Sequence, residues 1–361
     1  MSPPQARSES FCRRFGLKLP ILLGPMAGAS ASSLSIAVMN VGGLGACGAL
    51  IMQPEEIAAW ADEVRSKGNG PYQLNVWIPD PPPRRDPAHE RRVRAFLENW
   101  GPPVPPNAGD ATPPNFAAQC EAFLAAKPPI VSSVMGLYPP EFVARLKRAG
   151  IAWFANISTV AEARAAEAAG ADVIVAQGME AGGHRGCFDA AEAERRLVGL
   201  FALVPAVVDA VKLPVVATGG IADARGVAAA LMLGASAVQV GTALLRSPEA
   251  KIHPAWADAL SRVAPEDTML SRVFTGRAGR SIATHYVRAA TAADAPPPAP
   301  YPVQRGLTAV MRSEGQKAGD ANRMQVWAGQ SAGLARAEPA GQIVREMWKG
   351  ARELLGWSTA A

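Results

Sequence analysis

Cysteine is scarce in this chain, with four residues (Cys12, Cys47, Cys120 and Cys187) among 361. They form no CxxC pair and no metal-type spacing, which argues against a disulfide framework or a metal centre and for a reduced, cytoplasmic protein. Aromatic residues are few at 6%, charged residues amount to 19%, and the net charge is +5. A charge spread so thinly offers nucleic acid no footprint. A continuous apolar span is missing as well. Residues 19–54 carry no charge and would be long enough to cross a bilayer. Pro20, Pro25, Asn40 and the glycines at 24, 28, 42, 43, 45 and 48 cut that stretch into short elements. No basic N-terminal segment leads into an apolar run with a small-residue cleavage site. We therefore expect no membrane span, and a buried strand–helix–strand in its place.

Hydrophobic residues make up 49%, and glycine contributes 34 positions. That composition suits a close-packed α/β protein and excludes a disordered chain. Short apolar runs recur at 20–26, 44–48, 72–78, 129–134, 151–157, 172–177, 214–218 and 236–241. Helical stretches fall near 31–40, 54–66, 116–126, 139–149, 159–169, 194–211 and 222–234. The runs show no clean alternation, as expected for strands covered on one face by helices and on the other by a filled interior. Eight strands with intervening helices predict a (β/α)8 TIM barrel, with a doubly wound open sheet as the alternative.

Two segments break the rhythm. Residues 79–114 hold eleven prolines and the arginines at 84, 85, 91, 92 and 94. We read them as an insertion after the third strand, with one short charged helix at 88–99, a solvated arginine face and little part in folding. The proline-rich run 295–302 separates the barrel, 11–290, from a C-terminal helical segment, 303–356.

Three patterns carry candidate chemistry. Gly43-Leu-Gly-Ala-Cys-Gly48 satisfies GxGxxG, but it follows a helix and leads into a strand, which reads as turn chemistry rather than a dinucleotide site. Gln177-Gly-Met-Glu-Ala-Gly-Gly-His-Arg-Gly186 follows the sixth strand, on the face where barrel active sites form. His184 in that loop suits a general base. Ala217-Thr-Gly-Gly-Ile-Ala-Asp223 and Gln239-Val-Gly-Thr242 follow the seventh and eighth strands, the usual phosphate site of such barrels. Gly219, Gly220 and Gly241 permit close approach, and Thr242 offers a hydroxyl. Asn75 and Gln177 can read the N–H and C=O edge of a heterocycle, with a satisfied core amide as the lesser alternative for each.

Other chemistries lose ground by elimination. Lys127 and Lys212 precede strands rather than end them, against a Schiff-base mechanism. No carboxylate pair ends neighbouring strands, against metal-assisted or glycosidase chemistry. A phosphate-bearing cofactor with an amide-lined ring and one histidine remains, and flavin mononucleotide (FMN) fits.

Leu19-Pro-Ile-Leu-Leu-Gly-Pro-Met26, the Gly182-Gly-His-Arg-Gly186 loop, Ala217-Thr-Gly-Gly220 and Gln239-Val-Gly-Thr242 together resemble the nitronate monooxygenases, over about 11–290 without the insertion. The resemblance implies an FMN-dependent barrel that oxidises alkyl nitronates or nitroalkanes with O2 to a carbonyl compound and nitrite. It implies that Asn75, Gln177, Gly182, Gly220, Gln239, Val240, Gly241 and Thr242 bind FMN, that Met26 lies near the ring, and that His184 is the base. Family members often carry Ser-Phe-His-Phe-Gly at the fourth strand, where this chain has Ser132-Ser-Val-Met-Gly136. Two alternatives stand beside this reading. One is an NAD(P)H-dependent flavin reductase of the enoyl-acyl-carrier-protein or quinone type. The other is a non-catalytic flavin-binding protein.

Overall fold

The computed structural model describes residues 3–357. Each expected apolar run contains one strand: β1 (Ile21–Leu23), β2 (Gly45–Gly48), β3 (Tyr72–Trp77), β4 (Ile130–Val134), β5 (Ala152–Ile157), β6 (Val173–Gln177), β8 (Val215–Thr218) and β9 (Ala237–Val240). The two-residue β7 (Gly183–His184) stands apart from them. These eight strands pair in parallel in the order β1-β9-β8-β6-β5-β4-β3-β2. A parallel bridge between Leu22 and Leu44 closes the ring, with the Leu23 amide donating to the Leu44 carbonyl at 2.8 Å. Closure makes this a (β/α)8 barrel and removes the open-sheet alternative.

The barrel interior is filled by Leu22, Leu44, Ile130, Phe154, Val175 and Val216. Its N-terminal end is plugged by α1 (Pro4–Phe15), outside the expected elements. Phe11 and Phe15 lie 6.2 and 5.0 Å from Phe154, and the Ser8 hydroxyl donates to the Ser236 carbonyl ahead of β9. Ligand access is thus confined to the opposite, C-terminal end.

Seven outer helices follow their strands: α2 (Ser32–Asn40), α3 (Pro54–Lys67), α5 (Phe116–Ala126), α6 (Pro140–Arg148), α7 (Val160–Ala168), α8 (Leu200–Ala210) and α9 (Ala224–Met232). The helix expected from 194 starts only at Leu200. Its orphan first amide is taken by the Glu180 carboxylate at 2.8 Å, so a side chain from another loop sets the start. The Gly43–Gly48 pattern is the α2-to-β2 turn. A Cβ at Gly48 would sit 2.5 Å from the Ala27 amide, so close packing accounts for that glycine.

After β9 the chain makes a long excursion through α10 (Pro254–Leu260), the hairpin β10 (Thr268–Ser271) and β11 (Gly279–Ile282), α11 (His285–Ala290), α12 (Val303–Leu307) and α13 (Ala309–Ala318). It returns as α14 (Ala340–Leu354), which packs on α9 and α2 and takes the eighth helix position. The segment 303–356 therefore divides between two cores.

The insertion departs from expectation. Its helix α4 (Pro87–Leu97) is capped by the Asp86 carboxylate on the Ala88 and His89 amides. Its apolar face does not stand clear of the fold: Val93 and Leu97 are buried in a second core with Phe274, Tyr286, Leu307 and Met311. Nor are all its arginines a solvated face. Arg85 pairs with Glu90 and Asp110, and Arg94 donates to the carbonyls of Val104, Pro105 and Pro106. Composition hid this role, because a few apolar residues suffice: Val93, Phe96 and Leu97 on α4, with Trp100, Val104 and Ala108 after it.

Candidate active site

A cavity of about 450 Å³ opens at the C-terminal end of the barrel, roofed by the post-barrel excursion. Its size is that of a small-molecule or cofactor site. Barrel strands supply a set of carboxamides. Asn75 on β3, Gln177 on β6 and Gln239 on β9 all line it, and so does Asn156 on β5. Asn75 donates to the Ser132 hydroxyl at 2.9 Å, and Gln239 accepts from the buried Gln73 amide at 3.2 Å. Gln177 holds the following loop, accepting from the Gly186 amide at 2.7 Å and donating to the His184 carbonyl at 3.1 Å. The side-chain oxygen of Asn156, on the cavity wall, is buried with no hydrogen-bond partner among the described residues. An orphan acceptor of this kind marks where a ligand's N–H group would go.

The loops after β8 and β9 form a second part of the wall. Gly219, Gly220, Gly241 and Thr242 line the cavity, with Met26 beside Gly241. Gly220 has φ +67°, a backbone that favours glycine. No hydrogen bond reaches its amide among the described residues. Gly182 packs against the Gly329 backbone, whose amide donates to the Thr242 hydroxyl at 3.1 Å. Of the expected site residues only Val240 turns away. Its side chain belongs to the core between barrel and helices, and its carbonyl accepts from the Gly24 amide at 2.8 Å.

His184 sits on β7, which pairs with β11, so the glycine-rich loop is stitched to the excursion. Gly183 before it adopts φ +75°. Arg185 after it is buried, with Nη1 donating to the Gln177 carbonyl at 2.6 Å and Nη2 to those of Ser158 and Arg196. The imidazole lies edge-on between Trp77 and Trp327, at 4.5 and 4.7 Å, and its Nε2 is 2.8 Å from the Thr275 hydroxyl. Burial first, then the charges of Arg277 and Arg305, push its pKa down to about 3. The ring is therefore neutral across the physiological range and keeps one unprotonated nitrogen, while the same burial and charges weaken it as a base.

The remaining wall escaped sequence reading. Trp77, Thr275, Tyr301, Arg305, Arg312 and Trp327 all face the cavity, and all but Trp77 come from the excursion. No strand-end pattern marks them. No carboxylate lines the cavity among the described residues.

The chain matches the family described as nitronate monooxygenase over residues 9–350. It is 37% identical to a nitronate monooxygenase of Paraburkholderia phytofirmans, covering 92% of each chain. It is similar to the crystal structure of nitroalkane oxidase from Streptomyces ansochromogenes, with a TM-score of 0.85 and 35% identity, covering 94% of this chain and 98% of that one. The structure of FabK from Thermotoga maritima is also similar, with a TM-score of 0.74 and 28% identity over 96% and 97% of the two chains.

Proposed function

The chain belongs to the nitronate monooxygenase family and is an oxidoreductase, and from that premise we propose that it oxidises alkyl nitronates and nitroalkanes with O2, using FMN, to a carbonyl compound and nitrite. The observation that carries this reading is the neutral imidazole of His184, fixed on the cavity wall by Thr275 and placed beside the carboxamides of the barrel strands.

The residues present fit a flavin. The orphan oxygen of Asn156 suits a ring that carries N–H donors, and Asn75, Gln177 and Gln239 add amides around it. Gly220, Gly241 and Thr242 would hold one terminal phosphate. When bound, the flavin supplies electron transfer from substrate and onward to O2.

His184 handles the proton. With a neutral nitroalkane, its free ring nitrogen accepts the hydrogen α to the nitro group, and the C–H electron pair moves onto the two nitro oxygens. A pre-formed nitronate omits this step. Trp77 and Trp327 shield the ring from bulk water, and Thr275 holds its orientation.

Aerobic turnover of a panel of nitroalkanes and nitronates, with nitrite release measured and NADH consumption followed in parallel, tests the reading. Nitrite without NADH use is expected. NADH consumption with no nitrite would move the chain to the flavin reductases. Heat release and chromatography of the cofactor checks FMN, and recovery of FAD would overturn the single-phosphate assignment.

A further inference from the structure

We propose that Arg305 is a specificity-determining residue whose guanidinium grips both oxygens of the substrate's nitro or nitronate group. The inference rests on the nitro-compound reading above and names the group that recognises it.

Arg305 lines the same cavity as His184, and its side chain makes no hydrogen bond or ion pair among the described residues. Its neighbours differ. Arg277 pairs with Asp80 at 3.0 Å. Arg312 donates to the Gln325 side-chain oxygen at 2.9 Å and to the Thr308 hydroxyl at 3.2 Å. An arginine held beside a cavity with no acid to meet it is available to a ligand.

The backbone behind it is fixed. Arg312 Nη2 donates to the Arg305 carbonyl at 2.9 Å. On either side in α12, Gln304 donates to the Val273 carbonyl at 2.8 Å, and Leu307 is buried in the second core. Binding a ligand therefore has to order only the side chain, with no rearrangement of the helix behind it.

The chemistry matches. A nitronate is planar and shares one negative charge between two oxygens, as a carboxylate does, and a guanidinium fork can meet both at once. No carboxylate among the described residues competes for the fork in the cavity. Val134, at the end of β4, also lines the cavity and is apolar. The cation also offsets a difficulty at His184. Positive charge nearby disfavours imidazolium, but proton transfer creates the substrate anion together with that imidazolium. Arg305 on the nitro oxygens stabilises the anionic half of the pair.

Wild type, Arg305→Met and Arg305→Lys, each carrying its flavin, should be titrated calorimetrically with sodium propionate. This unreactive two-oxygen anion has the shape of the nitronate of nitroethane. The same proteins should be assayed for kcat/KM on that nitronate. Loss of a bidentate charged contact weakens propionate binding and lowers kcat/KM by about 10–100-fold in Arg305→Met, with part of both restored by lysine. Propionate affinity and kcat/KM both within twofold of wild type in Arg305→Met would overturn the proposal. Should wild type oxidise no nitronate, the functional reading fails, while the propionate titration still decides whether Arg305 is an anion site. If Arg305→Met does not fold, Arg305→Gln replaces it in both measurements.

Discussion

The Nε2 atom of His184 and the hydroxyl of Thr275 lie 2.8 Å apart, joining the loop after β6 to a segment 91 residues further along the chain. Thr275 is itself held on both sides. Its hydroxyl donates to the Arg277 carbonyl at 3.2 Å and accepts from the Arg277 amide at 3.3 Å. When the hydroxyl proton is on that carbonyl, the ring donates Nε2–H to threonine and the proton-accepting lone pair is on Nδ1; when it is on Nε2, Nδ1 carries the ring proton.

This arrangement predicts that Thr275→Val lowers kcat/KM for a neutral nitroalkane by roughly 5–10-fold, the worth of one hydrogen bond of about 1 kcal/mol. Thr275→Ser should restore most of it, because the hydroxyl returns without the methyl group. Oxidation of the pre-formed nitronate should change little, since no proton is removed. An equal loss on both substrate forms, not recovered by serine, would show that threonine only packs the loop.

Replacing the base itself has a larger effect. His184→Asn keeps a polar side chain in the gap between Trp77 and Trp327 but cannot accept a proton near neutral pH. Turnover of a neutral nitroalkane should fall by about 10²–10⁴-fold, the usual range for general-base catalysis. The nitronate of the same compound should lose far less, and flavin content should be unchanged. No loss on either form would remove His184 from the mechanism.

The pH dependence follows from the sign of the His184 shift. Its pKa is lowered to about 3, so the neutral base is present at every pH well above that value. Nitroalkane kcat/KM should show no acid limb near 6.5, where an ordinary histidine titrates. The folded chain should lose stability as pH falls from about 6.5 toward 3, because unfolded His184 binds a proton that the folded form refuses. A profile with a clear acid break near 6.5, abolished in His184→Asn, would show that the ring is more hydrated than this packing allows.

The barrel was legible because β-strands buried on both sides read as unbroken apolar runs, and at 151–157 or 214–218 the short length and the regular spacing between runs favoured strand over buried helix. The start of α8 was not. Residues 192–196 have helix-forming composition, yet the helix waits for Gly199 and for Glu180, which lies in another loop. The same division runs through the site. Gln177 ends a strand, Asn75 and Gln239 lie within otherwise apolar strands, and His184 sits in a glycine-rich loop, so residue type and position together marked them. Thr275, Tyr301, Arg305 and Trp327 reach the cavity only through packing of the excursion, which leaves no periodic trace in their neighbours. Val240 shows the converse: a position within a recognisable motif whose side chain turns to the outer core.

The second core offers the test of how far the insertion matters. Leu97, on α4, is buried among Phe274, Tyr286, Val303 and Leu307. Phe274 precedes Thr275 in the chain, and Tyr286 donates its hydroxyl proton to the Val273 carbonyl at 3.0 Å. The insertion therefore supports the turn that holds His184. Leu97→Ala should cost about 2–5 kcal/mol, as large-to-small changes in a packed core do. The measurement is urea unfolding followed by tryptophan fluorescence, and the variant should also lose nitroalkane turnover before it loses its fold. Substituting a Gly/Ser linker for 80–112 removes α4 entirely and exposes Val273, Phe274 and Leu307, so poor solubility or a sharply lower Tm is expected. If that deletion yields a soluble protein with wild-type Tm and unchanged kcat/KM, the insertion is peripheral and the second core stands without it.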